Sequence, residues 1–563
     1  MQSQKSHMPT PEVTDTCELE LLVGQDAYNL CTEDFLSKWD QLYDNCPWST
    51  VFQSSNFVIL WYRTYAQEYM PIIVIARQNG HLIGLLTLAL PLHSSPKSNS
   101  DNKRPLIMGA GMYEAEYQTW LAIPDTNDTF IMEAFRMIRN RFPNRDILLR
   151  FLPPSVPLDW TRTNALWKRY VELQAVSRPI MKLQDPDVSK MFRKTEFRNK
   201  LNRLKRLGNL KFERITDFEI FISILNELTV QYDFRQGAMF NMNQFRDNPL
   251  KSKFLLAMFE QDLLHVTVLK IEDEIVGSIV AIKGGEWVHL AGINIHSPFY
   301  ASASPGFVHF LLLGQQLAAE GTAMFDLTPG GDSYKERMAN EHDTVHELVV
   351  SSSLPYRIKR LARKKLHELL IKAGKRPMSV ELSLRKKLYL LKGRVIALKE
   401  ADSLTTLRTL LRPRNKVDKT RIFRIQIGAT PISDQILVNR NNLQDLLNFE
   451  KNGGSLTRWE FLEYAMVRFE NGEHSYTWSE NGLLLGCAWC CTAGTCKSDA
   501  SIPADALVLH DITYHPRAKS RLQDFIGAVA KRIAANSSIS LYIVSNAYDR
   551  TLCRALEQTT SLL

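Results

Sequence analysis

The segment from Trp287 to Val350 is the part of the sequence that most constrains the fold. Its patterns follow the order strand (287–295), loop, helix, strand (324–327), glycine turn, short helix and strand (345–350). The helix is predicted because apolar residues recur near the helical period after a favoured start, with Ser304 as N-cap and Pro305 in the first turn. Gly321 then ends the helix. Strands and helices that alternate in this way predict a unit of mixed α/β type.

The same order of elements is found three times along the chain. The first copy has two helices (32–69), a hairpin over Asn79-Gly80, strands near 105–109 and 117–122, a helix (128–140) and a strand (146–152). The second adds a basic helix from Lys190 to Leu207, helices at 218–232 and 248–261, and a hairpin over 272–274. The third begins near Lys416, with a hairpin over 480–482. Because solenoid repeats are far shorter, this period predicts copies of one αβ unit.

The length of 563 residues exceeds one ordinary core, so several domains are expected. The fold class predicted is α/β, or α+β with mixed sheets, in tandem units. The expected divisions are a flexible tail (1–18), a first unit (19–185), a second unit that carries the chemistry (186–353), a basic helical linker (354–414) and a third unit (415–563).

Positive charge is concentrated in two segments. Lys190–Arg214 holds ten Lys and Arg against two acidic residues, and Arg357–Lys399 holds fifteen against two. The rest of the chain is acidic overall, although the formal net charge is +9. Localised charge of this kind favours an anionic partner, while a solvated helix face is the simpler alternative for either segment alone.

The compartment and the cysteines are interpreted from what the sequence lacks. The N-terminus is polar, and no apolar run approaches the roughly 20 residues that span a bilayer, so a cytoplasmic location is expected. Cys487, Cys490, Cys491 and Cys496 are close enough in sequence to suggest zinc. However, 483–492 reads as a buried strand, whose neighbouring side chains point to opposite faces. We therefore interpret these residues as core thiols and expect no metal.

Several motifs of the second unit carry a resemblance to a known family. They are Phe192-Arg193-Lys194 at the basic helix, Gly208 with Phe212, Val276-Gly277 in the hairpin, Ser304-Pro305-Gly306, Asp326, Gly330-Gly331 and Tyr334-Lys335. In this order, they resemble the GNAT-superfamily acyltransferases of cellulose and exopolysaccharide biosynthesis, which are related to Fem-type aminoacyl transferases. The resemblance implies tandem GNAT-like units, of which the first two are clear. The third is degenerate, because residues 515–521 stand in place of a pyrophosphate loop and contain no glycine.

The resemblance also implies a donor, an acceptor and their sites. The donor expected is acyl-CoA, most simply acetyl-CoA, and the acceptor is an amine or hydroxyl of a saccharide, sugar nucleotide or cell-envelope precursor. The donor site implied is Ser304, Pro305, Gly306 and Phe307. The substrate site implied is Arg193, Lys194, Arg198, Gly330 and Gly331. The catalytic candidates are Asp326, Tyr334, Lys335 and His289.

The residues themselves support parts of this assignment. A helix start at Ser304–Phe307 offers N–H groups and a positive dipole end to a pyrophosphate, and Gly306 allows close approach. Asp326 ends an apolar strand, where a carboxylate can act as a base or orient the acceptor. Tyr334 can donate to a leaving thiolate, and Lys335 can hold an anionic group. His289 competes as the base, while core, capping and packing roles remain the alternatives for these side chains.

Two other classes of function stay open. One is a non-catalytic GNAT-like scaffold or binding protein of polysaccharide biosynthesis. Its basic helices would contact an anionic membrane surface, peripheral to the inner membrane, or a polysaccharide synthase. The other is nucleic-acid binding, which is disfavoured because aromatic residues are sparse among the charges of 190–214 and no recognition motif is present.

Overall fold

The computed structural model describes residues 17–92, 106–399, 420–425, 436–450, 456–494, 502–534, 540–547, 549–557 and 561–562. Most of the expected tail (1–16), the end of the expected linker (400–414) and Cys496 lie outside the described residues. Within them, no helix is long and apolar enough to cross a bilayer.

The elements follow the three predicted units. The first segment contains β1 (Cys17–Val23), α1 (Gln25–Leu30), α2 (Glu33–Asn45), α3 (Ser55–Thr64), β2 (Tyr69–Gln78), β3 (His81–Pro91), β4 (Ile107–Gly109), β5 (Leu121–Ala122), α4 (Asn127–Arg141), β6 (Ile147–Leu152), α5 (Trp160–Thr163) and β7 (Val171–Lys182). The second contains α6 (Pro186–Arg193), α7 (Thr195–Lys205), β8 (Leu210–Ile215), α8 (Phe218–Phe240), α9 (Gln244–Asp247), α10 (Leu250–Glu260), β9 (Leu264–Ile271), β10 (Glu274–Gly284), β11 (Trp287–His296), α11 (Pro305–Ala319), β12 (Met324–Asp326), α12 (Ser333–Met338) and β13 (Glu341–Val350).

Two basic helices connect these elements to the third unit. They are α13 (Leu354–Lys372) and α14 (Pro377–Lys399). The third unit contains β14 (Thr420–Ile425), β15 (Asn439–Arg440), α15 (Leu443–Leu447), α16 (Arg458–Glu470), β16 (His474–Glu480), β17 (Leu483–Thr492), β18 (Leu507–Tyr514), α17 (Leu522–Ala534), β19 (Leu541–Asn546), α18 (Arg550–Glu557) and β20 (Ser561–Leu562).

One mixed sheet runs through the first two units. Its order is β1-β2-β3-β4-β6-β13-β7-β12-β11-β10-β9-β8, with β5 paired to β3. Strand β7, which precedes the predicted boundary at 185, pairs with β12 and β13, which follow it. Strand β13 in turn pairs with β6 of the first segment. The boundary therefore divides the sequence without dividing the sheet.

Each unit repeats one strand arrangement, which confirms the predicted tandem α/β architecture. A hairpin is followed by a third antiparallel strand, and a helix then leads to a strand parallel to that third strand. The strands are β2, β3, β4 and β6 in the first unit, β9, β10, β11 and β12 in the second, and β16, β17, β18 and β19 in the third. The hairpin predicted over Asn79-Gly80 is present, with positive φ at both residues, as a two-residue turn of this kind requires.

The predicted helix over 190–207 is wrong in one respect, because it is broken at Lys194. That residue is extended (φ −60°, ψ 140°) and separates α6 from α7. Val188, Phe197 and Leu204 are all buried in one core. In a continuous helix, at about 100° per residue, Val188 would point away from the other two side chains. The break lets both helices bury their apolar residues on the same side.

The predicted strand over 117–122 is reduced to β5. The side chain of Gln118 substitutes for strand pairing, because its Oε1 accepts hydrogen bonds from the backbone N of Gly109 (3.2 Å) and of Arg150 (3.1 Å). These two amides lie on β4 and β6, the parallel pair of the first unit. Gln118 is 1% exposed and fills the space where β4 and β6 part.

The third unit packs against the second through α16. Trp459 Nε1 donates to the carbonyl O of Ala238 on α8 (3.0 Å). Phe469 contacts Phe234 of α8 and the ring of Phe299, whose centroid is 4.7 Å away. Phe299 belongs to the short 3₁₀ segment Pro298–Ala303, which leads directly into α11. The third unit therefore supports the entry to α11.

We expect Phe469→Ala to loosen this entry. The substitution removes the ring that packs on Phe299, and a segment that loses buried apolar contacts opens more often. Amide hydrogen exchange should therefore become faster in peptides covering 297–308. Phe449→Ala is the matched control, since Phe449 stacks on Phe461 within the third unit. Equal exchange in both variants at 297–308 would contradict the supporting role.

Candidate functional site

A buried carboxylate lies where the first two units meet. Asp326, the last residue of β12, is 0% exposed. Its Oδ2 accepts hydrogen bonds from Tyr117 Oη (2.5 Å) and His289 Nδ1 (2.8 Å). Its Oδ1 accepts from the backbone N of Thr328 (2.8 Å). Tyr117 comes from the first unit, 209 residues away in sequence, so this carboxylate joins the two units.

An arginine completes this buried cluster. Arg178 of β7 lies 4.0 Å from Asp326 and forms a two-pronged ion pair with Asp343, in which Nε donates to Oδ1 at 2.8 Å. Its guanidinium also stacks over the rings of Tyr117 (5.1 Å) and Trp287 (5.0 Å). A buried charge with these partners is compensated rather than isolated.

The electrostatics keep Asp326 ionised. Burial alone would raise its pKa, but the hydrogen bond and charge of His289, the charge of Arg178 and the hydrogen bond of Tyr117 together lower it below its ordinary value. The sequence analysis expected Asp326, Tyr334 and Lys335 to converge on one mouth. Asp326 and Lys335 are instead buried side chains that bind protein groups, because their polar atoms are taken by neighbours in the fold.

Lys335 and Asp326 together hold the glycine turn after β12. Lys335 Nζ donates to the carbonyl O (3.2 Å) and to Oγ1 (2.9 Å) of Thr328. Thr328 has φ +62°, which is unfavourable for a β-branched residue. Gly331 follows with φ +65°, a conformation that glycine adopts without a steric penalty. The buried pair therefore fixes the path of the chain into α12. Burial also lowers the pKa of Lys335.

A crevice opens directly beyond this buried layer. Strands β11 and β12 pair in parallel only from Trp287 to His289, opposite 324–326. Strand β11 continues to His296 after β12 has ended, so the two strands part. Ile293 and Ile295 are buried in the core, whereas Gly292 and Asn294 point to the other face and remain accessible. The alternation of β11 thus presents polar and small groups to the crevice.

Tyr334 forms the opposite wall of the crevice. Asn294 Nδ2 donates to Tyr334 Oη at 3.2 Å. This leaves the phenolic hydrogen of Tyr334 able to donate elsewhere. Burial, followed by the charge of Asp332, raises the pKa of Tyr334 to about 12, so the phenol stays protonated at neutral pH.

Arg235 of α8 closes one end of the crevice. Its Nη1 donates to His296 Nδ1 at 2.8 Å, so that nitrogen acts as the acceptor. Burial, and then the charge of Arg235, lower the pKa of His296 to about 3, which keeps its ring neutral at pH 7. Burial also lowers the pKa of Arg235, against the opposing charges of Tyr334 and Asp332.

Helix α11 starts beside His296. Ser304 occupies the N-cap position and Pro305 the first turn, as predicted, but Ser304 is left-handed (φ 60°, ψ 48°) and its side chain forms no capping hydrogen bond. Side-chain capping normally needs an extended N-cap residue, which explains this difference. A Cβ on Gly306 would lie 3.2 Å from His296 Nδ1. Phe307 is partly buried, with Lys200 Nζ 4.1 Å from its ring centroid.

The remaining predicted residues lie around this region. Arg193, Lys194 and Arg198 are exposed at the junction of α6 and α7. Gly330 is near Lys335, whose Nζ would be 3.7 Å from a Cβ added to that glycine. Phe192, on the same helix as Arg193, approaches Gly314 of α11. The structure thus connects the basic segment to the helix that begins at the crevice.

Sequence reasoning missed Glu116, which reaches the cluster from the first unit. Burial raises its pKa, while the charges of Arg150 (4.0 Å), Lys335 and His289 oppose this rise. A partly buried carboxylate with a raised pKa beside other titratable groups is a candidate for proton transfer. Glu116, Tyr117 and Arg235 carried no local signal, because their importance comes from contacts distant in sequence.

The cysteines fit the predicted buried strand. Cys487 and Cys490 lie on β17 and are buried, and burial raises the pKa of each thiol to about 12. Throughout the part of the chain that the structure describes, no cluster of His, Cys, Asp or Glu could hold a metal ion.

Comparison with protein families identifies the second unit. Residues 191–336 match the model of the acetyltransferase (GNAT) domain, Acetyltransf_6. The match covers about a quarter of the chain, from α6 to α12, and includes the crevice and the start of α11. The second unit is therefore a GNAT acetyltransferase-type domain, the class associated with acyl transfer. The comparison with curated proteins gave no match.

Several solved structures are similar in fold at low identity. FemX is 10% identical, covers 57% of this chain and 98% of its own, and has a TM-score of 0.40. The C-terminal domain of a putative lysylphosphatidylglycerol synthetase from Agrobacterium fabrum is 9% identical, with coverages of 58% and 94% and a TM-score of 0.37. A tandem GNAT protein of the clavulanic acid biosynthesis pathway is 11% identical, with coverages of 59% and 98% and a TM-score of 0.34.

We expect Asp326→Asn to destabilise the fold by about 3 kcal/mol at pH 7, because it leaves Arg178 without part of its buried compensation. Tyr117→Phe, which removes one hydrogen bond, should cost about 1 kcal/mol. Since the folded-state pKa of Asp326 lies below the ordinary 3.8, its contribution is present above that pH and is lost as the pH falls through the folded value. Urea unfolding at several pH values measures both effects. An unchanged free energy of unfolding at pH 7 would contradict this account.

Proposed function

We propose that this protein is an acyltransferase that moves an acyl group, most simply acetyl, from acyl-CoA to an amine or hydroxyl of a saccharide, sugar nucleotide or cell-envelope precursor. The observation that carries the proposal is the crevice between β11 and β12. It brings Asn294 and Tyr334 together beside the uncapped start of α11, within the domain that matches the acetyltransferase model.

The donor site proposed is the start of α11, at Ser304, Pro305, Gly306 and Phe307. The first-turn N–H groups receive no capping bond from Ser304, so they are suited to a pyrophosphate. Gly306 leaves room for close approach, and the neutral ring of His296 beside it adds no competing charge. A thioester extending from this point would enter the crevice towards Tyr334.

Three side chains have proposed roles in the transfer step. The acceptor nitrogen or oxygen attacks the thioester carbonyl, the C–S bond breaks, and the acceptor loses a proton. Glu116 takes up that proton, since its raised pKa brings it closer to neutrality. Tyr334 protonates the leaving thiolate, and Asn294 orients its hydroxyl.

The roles of Asp326, Lys335 and His289 are revised in this proposal. They serve as positioning residues, because Asp326 and Lys335 hold Thr328 and so set the approach to Tyr334. Arg193, Lys194 and Arg198 supply exposed positive charge for an anionic acceptor, such as a sugar nucleotide. Gly330 and Gly331 leave space for the acceptor at the turn.

The donor site can be tested by titration calorimetry with acetyl-CoA. Gly306→Glu adds bulk and a negative charge at the proposed pyrophosphate position, so we expect binding to weaken about tenfold or more. Gln315→Glu is the matched control, since it adds the same charge to an exposed position of the same helix. Unchanged affinity in Gly306→Glu, with the fold intact, would move the donor elsewhere. No binding to the parent protein would favour a non-catalytic scaffold.

The chemical roles can be tested by release of free CoA with a panel of amino sugars and UDP-amino sugars. Tyr334→Phe and Glu116→Gln should each lower kcat about a hundredfold while leaving the acetyl-CoA affinity intact. The rate of the parent should fall as the pH drops through the raised pKa of Glu116, and Glu116→Gln should lack that dependence. If both variants turn over at the parent rate, the assignment of these two residues is wrong.

A further inference from the structure

The hairpin formed by α13 and α14, residues 354–399, turns apolar side chains outward. Those on α13 are 40–65% exposed and those on α14 are 44–67% exposed. Their spacing of three, four or eight positions puts each set on one face of its helix. We call these residues the apolar stripes: Leu354, Ile358, Leu361 and Leu369 on α13, and Leu384, Leu388, Leu391 and Val395 on α14.

The polar side of α13 faces the body of the protein. Arg357 binds Glu172 of β7 (2.9 Å), and Arg360 binds Glu347 of β13 (2.7 Å). Lys364 donates to the carbonyl O of Leu173 (3.4 Å). This is the reverse of an ordinary surface helix, which buries its apolar side and exposes its polar side.

Helix α14 is oriented in the same inverted way against the third unit. Lys386 forms an ion pair with Glu463, and Tyr389 packs on the ring of Trp459 with centroids 5.5 Å apart. At about 100° per residue, Lys386 and Tyr389 lie on the side opposite the stripe. The two helices are linked through Glu381, which binds both Arg363 and His367 of α13 at 2.7 Å.

Positive charge surrounds the stripes. On α14, Arg385 and Lys392 lie on one side of the stripe and Lys387 and Arg394 on the other, at about 100° per residue. Further exposed cations are Lys365, Lys372, Lys375 and Arg376. A leucine-rich face flanked by lysine and arginine is the pattern of a helix that lies in a membrane interface.

We propose that this hairpin docks the protein on an anionic lipid bilayer. The apolar stripes enter the boundary between head groups and acyl chains, while the flanking cations contact anionic head groups. The inference concerns a partner of the whole chain, and it does not depend on the acyl transfer proposed above.

Charge argues against other occupants of this surface. A second copy of the hairpin would bring together two segments that each hold fifteen Lys and Arg against two acidic residues between 357 and 399, and these would repel. Nucleic acid would satisfy the cations, but it would leave the leucines exposed to water. An anionic bilayer accommodates both features.

The test is co-sedimentation of the full chain with vesicles of phosphatidylcholine alone or with phosphatidylglycerol added. One variant, Leu384→Ser with Leu388→Ser and Leu391→Ser, removes an apolar stripe at constant charge. A second changes Arg385, Lys387, Lys392 and Arg394 to Gln at constant apolar content. The control changes Ile220 and Leu437 to Ser, which are exposed apolar residues outside the hairpin.

We expect the parent and the control to bind the anionic vesicles and to bind phosphatidylcholine at least tenfold more weakly. Both hairpin variants should bind the anionic vesicles at least tenfold more weakly, and added salt should weaken the parent. The proposal is overturned if the parent fails to bind, or if the serine variant binds as well as the parent. Stripe-dependent dimers in analytical ultracentrifugation, or RNA binding in place of vesicle binding, would also overturn it.

Discussion

The exchange of strands between the first two units is the constraint on which the rest of the structure depends. Because β7 lies between β12 and β13, the second unit cannot complete its sheet without the first. The ionised Asp326 reinforces this arrangement, since it binds Tyr117 from one unit and His289 from the other. The same carboxylate holds Thr328 and thereby sets the turn beside the crevice. Assembly of the two units and the shape of the candidate site are therefore one physical problem.

The three copies of the αβ unit differ at the place where their parallel strands part. In the first, Gln118 fills this place and binds the amides of both strands. In the second, the place stays open between Asn294 and Tyr334, next to a helix start that contains Gly306. The third contributes from outside, because Phe469 packs on the segment that leads to that helix. One fold thus provides a structural partner, a candidate site and a support.

Local patterns predicted the elements well, and contacts distant in sequence decided what they missed. The period of α11 and the Asn79-Gly80 turn depend on neighbouring residues, so the sequence is enough to predict them. The break at Lys194 exists because two helices must bury residues in one core, which a helical period alone does not reveal. Asp326 was correctly singled out at a strand end, but its burial depends on Tyr117 and Arg178, which no local pattern connects to it.

The central claim is that the crevice of the second unit receives an acyl donor. The most direct measurement is a structure of the protein determined in the presence of acetyl-CoA. The account predicts density for the pyrophosphate at the N–H groups of Ser304–Phe307 and for the thioester between Asn294 and Tyr334. Density at residues 517–521 of the third unit, in the first unit beside Gln118, or nowhere at a saturating concentration would contradict it.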